Sequence, residues 1–201
     1  MYINRIKADT VLWFLFCYCI EVIIMDIAVI DDKEGLFSFI ADELEKSFYV
    51  RRFTKRGQRA SGEGKTVNMI LSDEPDVLVN GSKIAVLGGF SDYKRMRHRT
   101  FSCCIADSTS DIQMDTLLCS NFPVITCGCS AMDTFSYTSL TDDFLTVALN
   151  RKLTTLSGRV IQPFELPRPL KSEKNIYNVL ALTAIRLLLD DDSQEYYKIY
   201  S

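Results

Sequence analysis

The chain has 201 residues, 47% of them hydrophobic and 24% charged, with a formal net charge of -3. That balance supplies one globular core and excludes a disordered or low-complexity chain. It also argues against broad nucleic-acid binding, which needs a strongly basic surface.

Residues 1–24 differ in character from the rest of the chain. Arg5 and Lys7 precede the apolar run VLWFLFCYCI at 11–20, then Glu21. The run is too short for a bilayer, which takes about 20 apolar residues, and no small-residue cleavage site comes after it. No stable membrane anchor is therefore expected. The codons for Glu21 to Met25 can form a purine-rich ribosome-binding site leading into a start codon. Translation is expected to begin at Met25, with one domain over 25–201. The intact mass of the product of the native gene decides this.

From Met25 the chain reads as a domain start. DIAVI, at 26–30, is a buried-strand pattern with Asp31 and Asp32 at its carboxyl end. Leu36, Phe39, Ile40, Leu44 and Phe48 recur at helical spacing. YVRRF predicts a second strand, and the basic, glycine-containing piece from Thr54 to Thr66 a loop. VNMIL and DVLV read as strands. Asn80-Gly81 between DVLV and SKIAVL is a hairpin signal, since both central positions of such a turn favour positive φ. Gly88-Gly89 ends that strand, and DYKRMRHR, up to Arg99, predicts a polar helix.

The second half carries the fold signal. FSCCIADS, a short helix with Ile112, Met114, Leu117 and Leu118, and NFPVITCG closed by Gly128 form a strand–helix–strand unit. Both strands are apolar runs, as parallel sheets buried on both faces require. Asp133–Leu140 and Asp143–Leu149 predict strands, Gly158 a turn, and Asn175–Leu189 a long apolar helix. Pro163, Pro167 and Pro169 suggest a rigid extended link, each removing a backbone donor. Asp190 to Asp192 put the wrong charge at that helix's C-terminus, predicting a frayed end. The expected fold is three-layer α/β: a mostly parallel sheet flanked by helices, with an antiparallel extension near 133–164.

Ligands of open α/β sheets collect at the carboxyl ends of the strands. That edge should hold Asp31, Asp32, Asp107, Ser108, Thr109, Gly128 and Ser130 as ligand-binding candidates. Asp31 and Asp32 suit either a magnesium ion or the start of the following helix, with the helix start favoured. SGEGKT, at 61–66, is no phosphate loop: Arg59 stands where the first glycine belongs, a polar stretch precedes it, and VNMIL replaces the helix. His98, the one histidine, lies in a basic run, so no nucleophile–histidine pair and no catalytic residue is assigned. Cysteines occupy 17, 19, 103, 104, 119, 127 and 129, in spacings unlike those of zinc or redox pairs. They read as structural, no metal is expected, and the odd count points to a reducing cytoplasm. Two basic stretches, 51–65 and 94–99, read as solvated charge, with an anion-binding patch as the alternative.

PVITCGCSAMDTFSYTSL, LTTLSGRVI and NIYNVLALTAIRLLL together resemble the end of the central domain of the Mur ligases, the ATP-dependent UDP-muramoyl peptide ligases. Asn175, Asn178, Leu180 and Ala181 fall on that family's "N-x-x-N-A-L-A-A" helix pattern. IADSTSD, at 105–111, takes the place of its "N-A-D-D-P" segment and keeps Ala106 and Asp107. Residues 26–44 lie more weakly where its first strand, phosphate loop and helix belong. There the family's "G-T-N-G-K-T" is replaced by Ile30-Asp31-Asp32-Lys33-Glu34-Gly35, whose carboxylates repel a triphosphate. The chain also ends where the family's C-terminal domain would begin.

The resemblance implies a shortened domain without ligase activity: a cytoplasmic binding or interaction module linked to cell-wall precursors. A protein partner or a UDP-linked precursor would be its ligand. One alternative is a ligase subunit completed by a separate C-terminal domain, with ATP and magnesium as cofactors. Another is a receiver-like signalling domain, which residues 26–53 also resemble, with Asp73 accepting phosphate.

Overall fold

A computed structural model describes residues 25–72, 84–89, 101–118, 120–170 and 175–191. Its centre is a ten-stranded sheet. In chain order the strands are β1 (Met25–Ile30), β2 (Tyr49–Thr54), β3 (Gly57–Ser61), β4 (Thr66–Ser72), β5 (Ile84–Leu87), β6 (Cys103–Asp107) and β7 (Val124–Cys127). After these come β8 (Phe135–Leu140), β9 (Phe144–Leu149) and β12 (Phe164–Pro169). The short pair β10 (Leu153–Thr154) and β11 (Val160–Ile161) lies apart, joined through the turn at Gly158. Across the sheet the order is β12-β9-β8-β7-β6-β5-β1-β4-β2-β3.

The six strands from β2 through β7 in that order, together with β8, run parallel; β3, β9 and β12 pair antiparallel with their neighbours. The antiparallel wing is the predicted extension, and it continues to Pro169.

Alternation along each central strand divides the core. Ile27 and Val29 of β1, Val67 and Met69 of β4, and Ile84 and Val86 of β5 face one side. Helices α1 (Glu34–Leu44) and α3 (Ile176–Leu188) cover them with Ile40, Leu44, Leu180 and Ile185. Ala28, Ile30, Ala85, Leu87, Cys104 and Ala106 face the other side, where Leu117 of α2 (Asp111–Leu117) and Phe122 pack. Each fully buried Ile or Leu contributes about 1.5–3 kcal/mol relative to an exposed one, so this two-sided burial dominates the fold. The expected three layers are present.

Several local expectations are corrected. Thr54–Thr66 is not one loop: β3 folds back on β2, pairing Arg52 with Arg59, and only Gly62 to Lys65 connect it to β4. The reason is register, because the turn after Thr54 lets β3 share the sheet's edge while its side chains stay exposed. Pro167 and Pro169 do not mark a link. They sit in β12, an outermost strand, where a missing donor costs no ladder bond if it faces outward.

The end of α3 is also not frayed. Asp190 takes φ 51°, its N–H bonds the Leu187 carbonyl, and the Asp191 N–H bonds the Arg186 carbonyl. That is a Schellman motif, and it satisfies the last carbonyls whatever the sign of the charge. Within α2, Gln113, Thr116 and Leu117 are buried, whereas Ile112 and Leu118 are exposed.

The hairpin at Asn80-Gly81, the helix at 92–99, His98, Asp73 and residues 1–24 lie outside the described residues, as do Cys17, Cys19 and Cys119. Among the described residues no helix is long and apolar enough to cross a membrane.

Candidate functional site

Parallel strands β1, β5, β6 and β7 end side by side, and the polar residues after them gather along one edge of the sheet. A cleft of about 420 Å³ opens there, lined by Asp31, Lys33, Gly88, Gly89, Asp107, Ser110, Gln113, Asn175, Tyr177 and Asn178 among others.

Asp31 anchors it. Its backbone continues β1, with its N–H bonded to the Ser72 carbonyl at 3.1 Å. The residue is 5% exposed, and Oδ1 accepts the Lys33 N–H at 3.0 Å and the Gly89 N–H at 3.1 Å. Burial raises its pKa above the ordinary value; the two backbone donors oppose that rise, and neighbouring Asp32 adds to it. Gly88 is required here, since a Cβ at that position would run into the Asp31 carboxyl group. Asp31 therefore does not cap the first turn of α1, as the sequence suggested. It ties the turn after β1 to the turn after β5.

Two further side chains fix the neighbouring strand ends. Gln113 donates to the Gly88 carbonyl at 2.9 Å and accepts the Asp107 N–H at 2.8 Å, so its amide links β5 to β6. Tyr177 donates its phenol proton to the Leu87 carbonyl at 2.6 Å. Asn175 caps α3, its Oδ1 accepting the Tyr177 N–H at 3.0 Å, and Asn178 is buried one step on. The family-pattern asparagines thus stand at the cleft.

The other predicted residues divide. Asp107 lines the cleft, but its Oδ1 is held by Thr109, through the N–H at 2.9 Å and the hydroxyl at 2.6 Å. Thr109 is exposed and bonded back on that carboxylate, and Asp32 is exposed beside the cleft. Ser108, Gly128 and Ser130 form a second group around buried Asp133, whose Oδ2 accepts the Ser130 N–H at 3.0 Å. A Cβ on Gly128 would strike the Ser108 hydroxyl and crowd Asp133. These three do not line the cleft.

Sequence reasoning did not assign Lys33, Gln113, Tyr177 or Asp133. Only Gln113 carried a signal, because it shares a helical face with Leu117, four residues on.

Part of the first basic stretch is paired locally. Arg52 pairs with Asp42 of α1 and with Glu45 at its C-cap, with Nε to Glu45 at 2.6 Å, and Arg56 lies 3.3 Å from Glu34. The second basic stretch lies outside the described residues, so the two are not placed together. Cys103, Cys104 and Cys127 are buried; burial alone pushes the Cys103 thiol up to about 12, and burial followed by Asp107 and Asp133 raises Cys127. They behave as small hydrophobes rather than nucleophiles.

No protein-family model matches the chain, and no curated protein matches it. Solved structures do. The crystal structure of UDP-N-acetylmuramate:L-alanyl-gamma-D-glutamyl-meso-diaminopimelate ligase from Neisseria meningitides aligns with 85% of this chain at 16% identity, with a TM-score of 0.55. A UDP-N-acetylmuramoyl-L-alanyl-D-glutamate--2,6-diaminopimelate ligase aligns with 84% at 12% identity and a TM-score of 0.46. The chain spans 63% of the first structure and 43% of the second. The chain has a Mur-ligase-like α/β fold.

Proposed function

We propose that the chain is a non-catalytic Mur-ligase-like module linked to cell-wall precursor metabolism, which binds a UDP-linked precursor or a protein partner at the cleft. The observation that carries this reading is Asp31. A nucleotide's phosphates need free backbone N–H groups at the turn after the first strand, a lysine, and a hydroxyl for magnesium. Here the Lys33 and Gly89 N–H groups already bond a buried carboxylate, and Glu34-Gly35 come next in place of lysine and hydroxyl residues. The residues present do not fit a triphosphate. What remains is a cleft edged by amides, a phenol, two carboxylates and Lys33, suited to hydroxyl- and amide-bearing ligands.

A thermal-shift series tests the reading on the chain from Met25 and on the full chain. The ligands are ATP-magnesium, ADP-magnesium, UDP-linked muramoyl peptides and magnesium alone. A ligand that binds only the folded state adds about 2.7 kcal/mol at a hundredfold excess over its Kd. The expected outcome is a shift with the UDP-linked compound and none with ATP-magnesium. A shift with ATP-magnesium overturns the reading and favours a ligase subunit completed by a separate domain.

A further inference from the structure

We infer that Asp31 is a built-in anion: its carboxylate fills a backbone cradle that would otherwise take a phosphate group. The inference rests on the binding-module reading and goes beyond it, because it assigns the loss of phosphate binding to one side chain.

The cradle is made by two turns from separate parts of the chain. One supplies the Lys33 N–H and the other the Gly89 N–H, and both point at a single oxygen, Asp31 Oδ1. Converging amides of this kind form concavities that hold anions. Gly88 keeps the space clear, since any side chain there would displace the carboxyl group. The residue is 5% exposed, and its carboxyl group lies in the wall of the cleft. It occupies the seat. Asp32, one residue on, is exposed, and neither of these two N–H groups bonds it. Seat-filling and repulsion are therefore separable by substitution.

The experiment titrates inorganic pyrophosphate into the parent, Asp31→Ala, Asp31→Asn and Asp32→Ala by calorimetry, after checking that each variant melts cooperatively. Asp31→Ala frees both N–H groups and is expected to bind pyrophosphate at least tenfold more tightly than the parent. Asp31→Asn keeps an acceptor oxygen in the seat and should bind no better than the parent, and the same holds for Asp32→Ala.

Equal gains in Asp31→Ala and Asp32→Ala would show that charge alone matters and would overturn the inference. A folded Asp31→Ala that gains nothing also overturns it, while leaving the binding-module reading in place. Should Asp31→Ala not fold, amide spectra of the parent decide. The Lys33 and Gly89 N–H signals must not respond to pyrophosphate, and a saturable response overturns the inference. Tight binding of pyrophosphate by the parent overturns the inference and leaves the binding-module reading in place, since a UDP-linked ligand itself carries a diphosphate.

Discussion

Asp31 also makes a prediction about stability at the scale of one residue. The fold raises its pKa above the ordinary 3.8, chiefly through burial, so the folded state holds the proton more tightly than the unfolded one. Its contribution to stability is therefore fully present below pH 3.8 and lost as pH rises through the raised value. Asparagine keeps an oxygen for the Lys33 and Gly89 N–H groups and needs no charge desolvated. It also replaces repulsion from Asp32 with an N–H donor beside it. At pH 7 Asp31→Asn should be more stable than the parent by about 1 kcal/mol, or roughly 3 °C in melting temperature. The advantage should shrink as the pH is lowered toward 3.8. Melting curves across that range check the sign, and a less stable Asn variant at neutral pH would mean that the carboxylate is a net stabiliser. None of this was legible in the Asp-Asp pair, because the sequence does not say that Gly89 lies across from it.

At the scale of elements, α1 and α3 are joined by a buried cation. Arg186 is 4% exposed, donates to the Glu43 carbonyl at 2.7 Å and lies 3.5 Å from Asp191, with Glu43 Oε2 at 3.6 Å. Burial lowers its pKa, and Asp191 and Glu43 offset part of that. A buried pair is not strong evidence of net stabilisation, but removing one member leaves the other charged in a poor solvent. Arg186→Met should therefore cost about 3–5 kcal/mol, and adding Asp191→Asn should recover much of it. Urea melts with unchanged slope measure both. If the double variant is no more stable than the single, Asp191 does not depend on Arg186.

The helix itself was legible from its apolar run and Asn175. Its ending was not, because charge sign alone points to fraying. A left-handed Asp190 and a charge partner four to five residues back are matters of geometry. The short helix α2 was legible as a helix; what its apolar residues did not show is that Gln113 is buried for its hydrogen bonds while Ile112 and Leu118 are exposed.

For the whole molecule, the alternation of strands and helices and the apolar runs at 26–30, 103–107 and 124–127 made the three-layer architecture legible. The edges of the sheet were not. β3 is polar because it is an exposed outer strand, and β12 contains prolines because it is the other one, so each lacked the apolar signature of a strand. The cleft was half legible, because strand ends can be counted along a sequence whereas the crossing residues Gln113 and Tyr177 cannot. This architecture predicts a gradient of local stability. β1 is paired on both sides from Ile27 to Ile30 and covered by helix α1, and β5 and β6 are likewise internal. Their amides should open only with global unfolding and exchange most slowly. Among the described residues β3 bonds β2 alone and buries almost nothing, so it should exchange fastest among the strands, with β12 next. Hydrogen exchange measured by mass spectrometry of peptides spanning 25–30, 57–61, 103–107 and 164–169 gives the order. Protection of 57–61 equal to that of 25–30 would mean that another surface covers this edge, and a dilution series would tell whether that surface is a second copy of the chain. The open edge would then be an interface, because unpaired N–H and C=O groups along an outer strand are ready to accept one more strand.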